Sequence, residues 1–270
     1  MPADRPRDES GRAYHIGLRE GDIPDVVLMP GDPDRVNRIV ESWDAGEIIG
    51  QHREYRAARG RVGTSELGAL SHGIGAGSTA IAVEELAEIG VRRFLRVGSS
   101  GSIQPDVDTG DLVIAVGAVR MEGVSDQYVP DGYPAVADPR MVHALIAACQ
   151  ELGYPFHVGI TASSASFHLG QGRPGYGGYF PSRARHLVDD LRQARVINFD
   201  METATVFTLA SAFGLVAGSI CAVYANRSTN RFSQDGMERC IAAANRAVVI
   251  YDAWERERRE RGLSYFIPHP

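Results

Sequence analysis

The sequence of 270 residues contains no lysine: all 28 of its basic residues are arginine. This absence excludes the Schiff-base chemistry of a reactive lysine and the lysine of a P-loop nucleotide site. Cysteine is scarce, and Cys149, Cys221 and Cys240 are widely spaced with no CxxC pair. This pattern excludes a disulfide framework and argues against a zinc site. Because unpaired thiols are typical of a reducing compartment, we expect a cytoplasmic protein.

Long uncharged segments are also few. Residues 203–225 form one, but Gly214 interrupts it and five Ser or Thr residues dilute its apolar character. We therefore predict a helix, a glycine stop and a buried strand there rather than a membrane span. Residues 1–13 are polar and charged with no apolar core, which excludes a signal peptide and predicts a flexible tail.

Positive charge is in deficit, since the net charge is −6. We therefore expect neither nucleic acid nor a membrane as a partner. A hydrophobic content of 44% is ordinary for a globular protein, and no linker or internal repeat divides the chain. The sequence thus predicts one domain over residues 14–270, after the tail at residues 1–13.

Short apolar runs alternate with amphipathic stretches along most of the chain. Strand, glycine turn and helix follow one another repeatedly, which predicts an α/β fold with a mainly parallel sheet buried by helices. Residues 254–261 alternate in charge at helical spacing and predict a solvated terminal helix with internal ion pairs. The other predicted helices cover residues 34–43, 142–153 and the stretch after Ser78, and the predicted strands cover Val26–Met29 and residues 67–70, 94–97, 112–116, 157–162 and 196–199.

The turns after the strands are the candidate site, because open α/β sheets bind ligands at the carboxyl ends of their strands. Gly31 and Arg35 lie in a turn that opens a helix, where free amides suit an anion. The alternative for this turn is a helix cap beside a surface arginine. Arg96 lies inside an apolar strand and precedes a small-residue turn at residues 98–102. A buried arginine needs either an anionic ligand or a structural carboxylate as its partner.

Two arginine-containing turns at one sheet edge predict a site for a small phosphate-type ligand. The glycine turns match G-x-G-x-x-G poorly, which disfavours a dinucleotide cofactor. The histidines show no metal-binding spacing, which disfavours a catalytic metal; those considered are His52, His72, His157 and His186.

Motifs from about residue 14 to residue 250 carry a resemblance to a known family. They are YHIGL (14–18), VLMPGDPDR (27–35), HRE (52–54), GIGAGSTAIAVEEL (73–86), FLRVGSSGSIQPDVDTGD (94–111), VGITASSASF (158–167), NFDMETAT (198–205) and Asn226-Arg227. With these, the chain resembles the nucleoside phosphorylase-I family, and Phe167, Gln171 and Arg173 match its uridine phosphorylase branch. The resemblance implies a single-domain, three-layer α/β fold with a central mixed, mainly parallel sheet flanked by helices.

The resemblance also implies a role for each matching residue. Phosphate would be bound by Gly31, Arg35, Arg96 and Ser99, and by Arg53 of a neighbouring subunit. Ribose would be bound by Met201 and Glu202, and by His15 of the neighbour. The base would be bound by Phe167, Gln171, Arg173 and Arg227. A monovalent cation, such as a structural K⁺ between subunits, would be held by Glu54, the Ile74 carbonyl and Ser78.

The implied reaction is phosphorolysis of a pyrimidine nucleoside, in which uridine and inorganic phosphate give uracil and ribose 1-phosphate. Phosphate is then a co-substrate, and no organic cofactor is expected. Because the reaction needs no covalent nucleophile, Ser99 is expected as a phosphate ligand, and no G-x-S-x-G elbow surrounds it. The implied assembly is a homo-oligomer with shared sites, a dimer at minimum and a homohexamer by resemblance.

Three other functions remain as alternatives: a purine or modified-nucleoside phosphorylase, a nucleoside hydrolase, and a non-catalytic nucleoside-binding protein. Purine members of the family that this chain resembles carry an aspartate after this strand, so its absence from residues 224–227 counts against a purine substrate. A hydrolase would not need the phosphate site that the arginine turns predict, so these turns count against hydrolysis. Departures from the family pattern leave the nucleoside open among uridine, deoxyuridine, thymidine and a 5′-modified uridine. They are Asp200 in place of the usual glutamate, Tyr224 and Ala225 beside the base, and residues 172–180.

Several of these residues also have a purely structural interpretation. His15 can be an exposed histidine, and Glu202 can be an acid in the first turn of a helix, where it interacts favourably with the helix dipole. Gln171 and Arg173 lie in a Gly- and Tyr-rich segment whose composition is typical of a mobile surface loop.

Overall fold

Eleven strands, seven α-helices and three short 3₁₀-helices make up the regular structure of residues 3–265, the part of the chain that the computed structural model describes. The strands are β1 Val26–Met29, β2 Ala45–His52, β3 Tyr55–Val62, β4 Ser65–Leu70, β5 Arg93–Ser102, β6 Leu112–Met121, β7 Ala135–Val136, β8 Phe156–Ser164, β9 Asn198–Asp200, β10 Val216–Asn226 and β11 Arg231–Phe232. The helices are α1 Pro33–Glu41, α2 Ala76–Glu88, α3 Pro139–Leu152, α4 Ser182–Arg185, α5 Leu187–Gln193, α6 Thr203–Ala212 and α7 Met237–Glu260.

One mixed sheet contains all of these strands, in the order β11-β10-β6-β8-β9-β5-β1-β4-β3-β2, with β7 paired to β6. β10 also pairs with β5, so that β5, β10, β6, β8 and β9 close into a ring. The parallel pairs are β1 with β4 and β5, β5 with β10, and β8 with β6 and β9. The predicted α/β class and mixed sheet are confirmed.

Helices cover both faces of the sheet. Along β1, Val26 and Leu28 belong to one core cluster, whereas Val27 and Met29 belong to the other. Successive strand residues point to opposite faces, so this strand is buried on both sides. Side chains of α1, α3 and α7 fill the first cluster, and those of α2 and α6 fill the second. The three-layer arrangement is therefore confirmed.

The uncharged stretch of residues 203–225 folds as predicted, into helix α6, a left-handed Gly214 and strand β10. Within residues 3–265, every helix is too short or too polar to cross a lipid bilayer. The charged stretch at residues 254–261 lies at the end of α7, where Arg258 pairs with Glu255 at 3.0 Å.

The turn predicted at residues 98–102 is wrong, because β5 continues through it. Gly98 pairs with Cys221 of β10, and Gly101 pairs with Phe199 of β9. A Cβ on Gly98 would lie 2.7 Å from Sγ of Cys221 and 2.9 Å from Nη2 of Arg96. The small residues there serve the close approach of neighbouring chain segments rather than a turn.

Residues 3–13 contact the domain in several places. Arg7 and Ala13 form an isolated β-bridge, Ala13 is buried, and Arg7 pairs with Glu88 of α2 at 3.3 Å. The flexible tail at residues 1–13 and the domain boundary at residue 14 stay predictions. Residues 1–2 and 266–270 lie outside the described part of the chain.

Candidate active site

A cleft of about 960 Å³ lies at the carboxyl ends of β1, β5, β9 and β10. The register of the sheet brings these strand ends side by side, because Met29 of β1 pairs with Arg96 of β5, and Arg96 pairs with Ser219 of β10. The predicted site residues that line the cleft are Gly31, Arg35, Ile74, Arg96, Ser99, Phe167, Gln171, Arg173, Met201 and Glu202. The other lining residues are Asp32, Pro33, Gly73, Ser100, Gly101, Phe199, Asp200, Tyr224, Ala225 and Phe232.

The turn after β1 forms one end of this cleft. Asp32 caps α1 by accepting a hydrogen bond from the Asp34 amide at 2.9 Å, and Pro33 occupies the first turn. Gly31 packs so closely that an added Cβ would lie 3.0 Å from the carbonyl oxygen of Gly73. The turn therefore presents backbone rather than side chain to the cleft.

Arg35 is buried in the first turn of α1 and points across to β5. Its Nη1 donates to the Val97 carbonyl at 3.2 Å, and its buried Nε has no hydrogen-bond partner. A buried guanidinium N–H without a partner is costly. Arg35 therefore has unused donor capacity at the edge of the cleft, and the surface arginine considered from the sequence is not what the structure contains.

Arg96 is held by three buried groups. Its Nε donates to Asp200 at 2.8 Å, its Nη1 lies 3.0 Å from Nε2 of His72, and its Nη2 lies 2.6 Å from Glu202. Burial alone would lower the pKa of Arg96, but Glu202 and Asp200 outweigh it and hold the pKa above its usual value. The carboxylate partner considered from the sequence is thus present, and Arg96 also lines the cleft.

Glu202 lies at the start of α6, immediately after Met201. One carboxylate oxygen accepts the Gly75 amide at 2.6 Å, and the other pairs with Arg96. Burial, aided by Asp200 and opposed by Arg96, raises the pKa of Glu202 above its ordinary value. Glu202 is therefore a buried acceptor within reach of polar groups in the cleft.

The opposite end of the cleft is formed by Phe167, Gln171 and Arg173. The Arg173 guanidinium lies over the Phe167 ring at 4.1 Å from its centroid. Its Nη1 donates to Oε1 of Gln171 at 2.6 Å, which leaves the amide N–H groups of Gln171 free to donate elsewhere. Gln171 is 3% exposed, so it is buried in the fold rather than carried on a surface loop.

Arg227 lies behind Gln171 rather than on the wall of the cleft. Its guanidinium donates to the Gln171 carbonyl and, at 3.3 Å, to the Gly172 carbonyl. Burial, with the nearby charges of Arg173 and Arg192, lowers the pKa of Arg227 to about 10. Arg227 thus holds the loop that carries Gln171, and its predicted contact with a base stays a prediction.

With this geometry in view, comparison with known proteins assigns the family. Residues 25–251 match the profile of the Phosphorylase superfamily. The chain belongs to this superfamily. It is 53% identical over 268 residues to the uridine phosphorylase of Thermococcus kodakarensis, covering 99% of this chain and 97% of that protein.

Two more distant relatives of this superfamily differ in their named substrates. The uridine phosphorylase of Escherichia coli is 39% identical over 220 residues, covering 80% of this chain and 86% of that protein. The guanosine phosphorylase of Halorubrum lacusprofundi is also 39% identical, over 212 residues, covering 78% and 83%. The family predicted from the motifs is confirmed.

Two of the residues predicted from the family motifs, His15 and Arg53, lie outside the cleft of their own chain. Arg53 and Tyr14 are exposed, and Nη2 of Arg53 lies 3.3 Å from the Tyr14 hydroxyl, whereas His15 is half-buried, with its Nδ1 2.5 Å from Glu85. Arg53 has a φ of 55°, a conformation that costs a non-glycine residue energy. The structure thus separates these two residues from Arg35 and Arg96.

The three residues predicted for a cation in this family lie together beside a smaller cavity of about 430 Å³. A Cβ on Gly73 would lie 2.9 Å from Cγ of Glu54 and 3.3 Å from Oγ of Ser78, so both side chains converge on this loop. Ile74 between them is 81% exposed. Carboxylate, hydroxyl and carbonyl oxygens suit a hard cation. The residues fit the predicted ion, and their role stays a prediction.

From the sequence, His72 has no predicted role, and Asp200 is noted only as a departure from the usual glutamate. Asp200 is instead an internal anchor, because one of its oxygens accepts from Arg96 and Thr203 and the other accepts from Ser163 at 2.5 Å. The signal available in the sequence was a polar residue at the end of a buried strand: Asp200 is the last residue of β9, and His72 lies two residues after β4.

Proposed function

We propose that this chain cleaves uridine with inorganic phosphate and releases uracil and ribose 1-phosphate. The observation that carries this proposal is the arrangement of one cleft, with Arg35 and Arg96 near one end, Gln171 and Arg173 at the other, and Glu202 among its lining residues. Two of the relatives described above are named uridine phosphorylases, and one of them is aligned over nearly the whole chain.

The phosphate end would be formed by Gly31, Arg35, Arg96 and Ser99. Arg35 contributes the guanidinium N–H groups left free by its hydrogen bond to the Val97 carbonyl, and Arg96 contributes the N–H groups that its three partners leave free. Guanidinium groups bind phosphate oxygens through paired, charge-assisted hydrogen bonds. The hydroxyl of Ser99 and the backbone around Gly31 add neutral donors, so that phosphate is positioned on one face of the sugar.

The ribose would lie over Met201 and Glu202. Phosphorolysis passes through an oxocarbenium-like sugar, so the reaction depends on placing a phosphate oxygen in line with C1′. An ionised Glu202 can accept hydrogen bonds from the two ribose hydroxyls while it keeps its contact with Arg96. Through this pair the sugar and the phosphate would be positioned by one connected group of side chains.

The base would lie between Phe167 and the polar groups of Gln171 and Arg173. Uracil leaves with negative charge, and donors aimed at its carbonyl oxygens stabilise that charge as it develops. Because Oε1 of Gln171 already accepts from Arg173, the site offers mainly donors. Cytosine and adenine present an amino group in place of one carbonyl, so they would leave these donors mispaired.

A purine nucleoside is the second candidate, because one relative is named a guanosine phosphorylase and guanine also carries a carbonyl oxygen.

To test the choice of base, uridine, thymidine, cytidine, adenosine and guanosine are each incubated with phosphate, and the released base is measured for the native protein and Arg173→Ala. We expect the fastest release from uridine and a sharp loss in the variant. Arg185→Ala serves as the control, since Arg185 lies over Phe180 and does not line the cleft. Faster release of guanine would favour the purine assignment.

The active unit would be a homo-oligomer with shared sites, a dimer at minimum and a hexamer by resemblance. The guanidiniums of Arg35 and Arg96 line the cleft with the carboxylates of Asp200 and Glu202, and the Asp32 carboxylate lines it as well, so positive charge is not in excess before phosphate enters. A further cation is needed for a tightly bound dianion. Arg53 of a neighbouring subunit would supply it, and His15 of the same neighbour would meet the ribose 5′ hydroxyl.

The cavity beside Glu54, Ile74 and Ser78 would bind K⁺ at a subunit boundary. Replacing K⁺ by tetramethylammonium should then weaken assembly or activity, and no change in either would contradict this site. No organic cofactor enters the proposed reaction. The cytoplasm is the proposed location, because Cys149, Cys221 and Cys240 are all free and buried.

A further inference from the structure

His72 is a buried titratable residue that the proposed reaction does not use. It lies two residues after β4, is 0% exposed and does not line the cleft. Its two ring nitrogens nevertheless both have partners: Nε2 lies 3.0 Å from Nη1 of Arg96, and Nδ1 lies 3.0 Å from Oγ1 of Thr79. A buried imidazole with two directed contacts fixes the groups at both of its ends.

The direction of these hydrogen bonds follows from the chemistry of the partners. Arginine has only donors, so Nε2 of His72 must accept from Arg96. Nδ1 then carries the proton and donates to Thr79, whose own hydroxyl donates to the Gly75 carbonyl at 2.9 Å. Because Nε2 accepts and only Nδ1 carries a proton, the ring is neutral.

We propose that His72 is a positioning residue that orients the guanidinium of Arg96 for phosphate without neutralising its charge. This inference rests on the proposed phosphorolysis and deepens it. Arg96 is already paired with the carboxylates of Asp200 and Glu202. A third carboxylate at position 72 would fix the guanidinium equally well, but it would add repulsion toward an incoming phosphate. A neutral acceptor fixes the group and adds none.

The donor count shows what this arrangement leaves for the ligand. A guanidinium has five N–H groups. Asp200, His72 and Glu202 each engage a different nitrogen of Arg96. One N–H remains on each terminal nitrogen, a pair suited to two phosphate oxygens. Without His72, one of the three contacts that hold the Arg96 guanidinium is lost. The guanidinium can then rotate more freely, and its two free N–H groups are less well oriented toward phosphate.

His72 also links Arg96 to Glu202 through residues at the start of α2. Thr79 lies in the first turns of α2, and the Gly75 carbonyl that receives its hydroxyl belongs to the residue whose amide binds Glu202. The orientation of Arg96 and the position of Glu202 are thus fixed by one chain of hydrogen bonds, through His72, Thr79 and Gly75.

The test compares His72→Gln, His72→Glu and His72→Leu. Glutamine can accept from Arg96 and donate to Thr79, glutamate accepts but adds charge, and leucine does neither. KM for phosphate, KM for uridine and kcat are measured for each, and thermal unfolding shows whether each variant is folded. A calorimetric titration with inorganic phosphate gives its affinity in the absence of nucleoside.

We expect KM for phosphate to rise on the order of tenfold or more in His72→Leu and His72→Glu, with a smaller change in KM for uridine. His72→Gln should stay within a few-fold of the native protein. If His72→Leu does not fold, the comparison of phosphate affinity between His72→Gln and His72→Glu is sufficient to test the role of His72. Phosphate affinity equal in these two variants, or equal rises in both KM values, would overturn the role of His72. Native protein that releases uracil without phosphate would instead overturn the proposed function.

Discussion

The guanidiniums of Arg35 and Arg96 differ in how many of their N–H groups already have partners, and we therefore expect different roles for the two residues. Arg35 makes one hydrogen bond, to the Val97 carbonyl, and keeps a buried Nε without a partner. Arg96 is bound on all three nitrogens and contacts the carboxylate proposed for the ribose. Loss of Arg35 therefore removes a phosphate donor, whereas loss of Arg96 also leaves two buried carboxylates unpaired.

Arg35→Ala should raise KM for phosphate on the order of a hundredfold and change KM for uridine little. Arg96→Ala should lose more activity than Arg35→Ala and should weaken both substrates. Steady-state kinetics with each substrate varied in turn measures this. Arg246→Ala in α7 is the control, because Arg246 pairs with Glu151 at the surface and does not line the cleft. Equal effects of Arg35→Ala on both substrates would contradict the assignment of Arg35 to phosphate.

The raised pKa of Glu202 predicts how nucleoside binding depends on pH. The ionised form accepts the ribose hydroxyls and is present above the pKa of the folded protein. Uridine affinity should therefore fall as pH decreases through that pKa, at a pH above the usual glutamate range of about 4.3. Calorimetry without phosphate avoids the titration of phosphate itself. Glu202→Gln should bind weakly at every pH, and native affinity that is constant down to the usual glutamate range would contradict this account.

At the scale of elements, the close approach of β5 to β10 depends on Gly98. Gly98→Ala should destabilise the fold by about 1–3 kcal/mol and lower activity, because the new methyl group would meet Cys221 and Arg96. Gly50→Ala in β2 is the control, since a Cβ there meets nothing within 4 Å. Chemical denaturation measures both variants. A Gly98→Ala variant as stable and active as the native protein would show that the packing is looser than described.

The elements also show what the sequence could predict. β1 and β8 are apolar runs and were predicted within a few residues, whereas the hairpin of β2 and β3 was not predicted at all. β2 is almost entirely exposed, so it has no apolar pattern to detect. Residues 98–102 look like a turn because the small residues that allow strands to approach closely are also turn residues.

The candidate site was predictable where a single residue carries the signal. Arg96 inside an apolar strand and Gly31 before a helix pointed to the cleft that the structure contains. The anchoring role of Asp200 was not predictable, because its partner Ser163 is far away in the sequence and its partner Thr203 belongs to no motif that indicates such a contact. His72 was missed for the same reason, since its partners Arg96 and Thr79 meet only in the folded chain.

At the scale of the whole molecule, the separation of Arg53 from the cleft predicts complementation between subunits. Arg53→Ala and Glu202→Gln proteins should each be nearly inactive. Mixing them should restore part of the activity, because some sites then combine an intact cleft with an intact Arg53. Mixing Glu202→Gln with Arg96→Ala should restore none, since every cleft then carries a lesion. No recovery in the first mixture, with subunit exchange verified by mass spectrometry, would contradict shared sites.

In the proposed reaction phosphate, rather than water, attacks the sugar in this cleft. The most direct test incubates uridine with the native protein, with and without inorganic phosphate, and follows the products by ³¹P NMR and uracil absorbance. We expect uracil and ribose 1-phosphate in equal amounts with phosphate, and no release of uracil in its absence. Release of uracil and free ribose at the same rate in phosphate-free buffer would contradict this expectation.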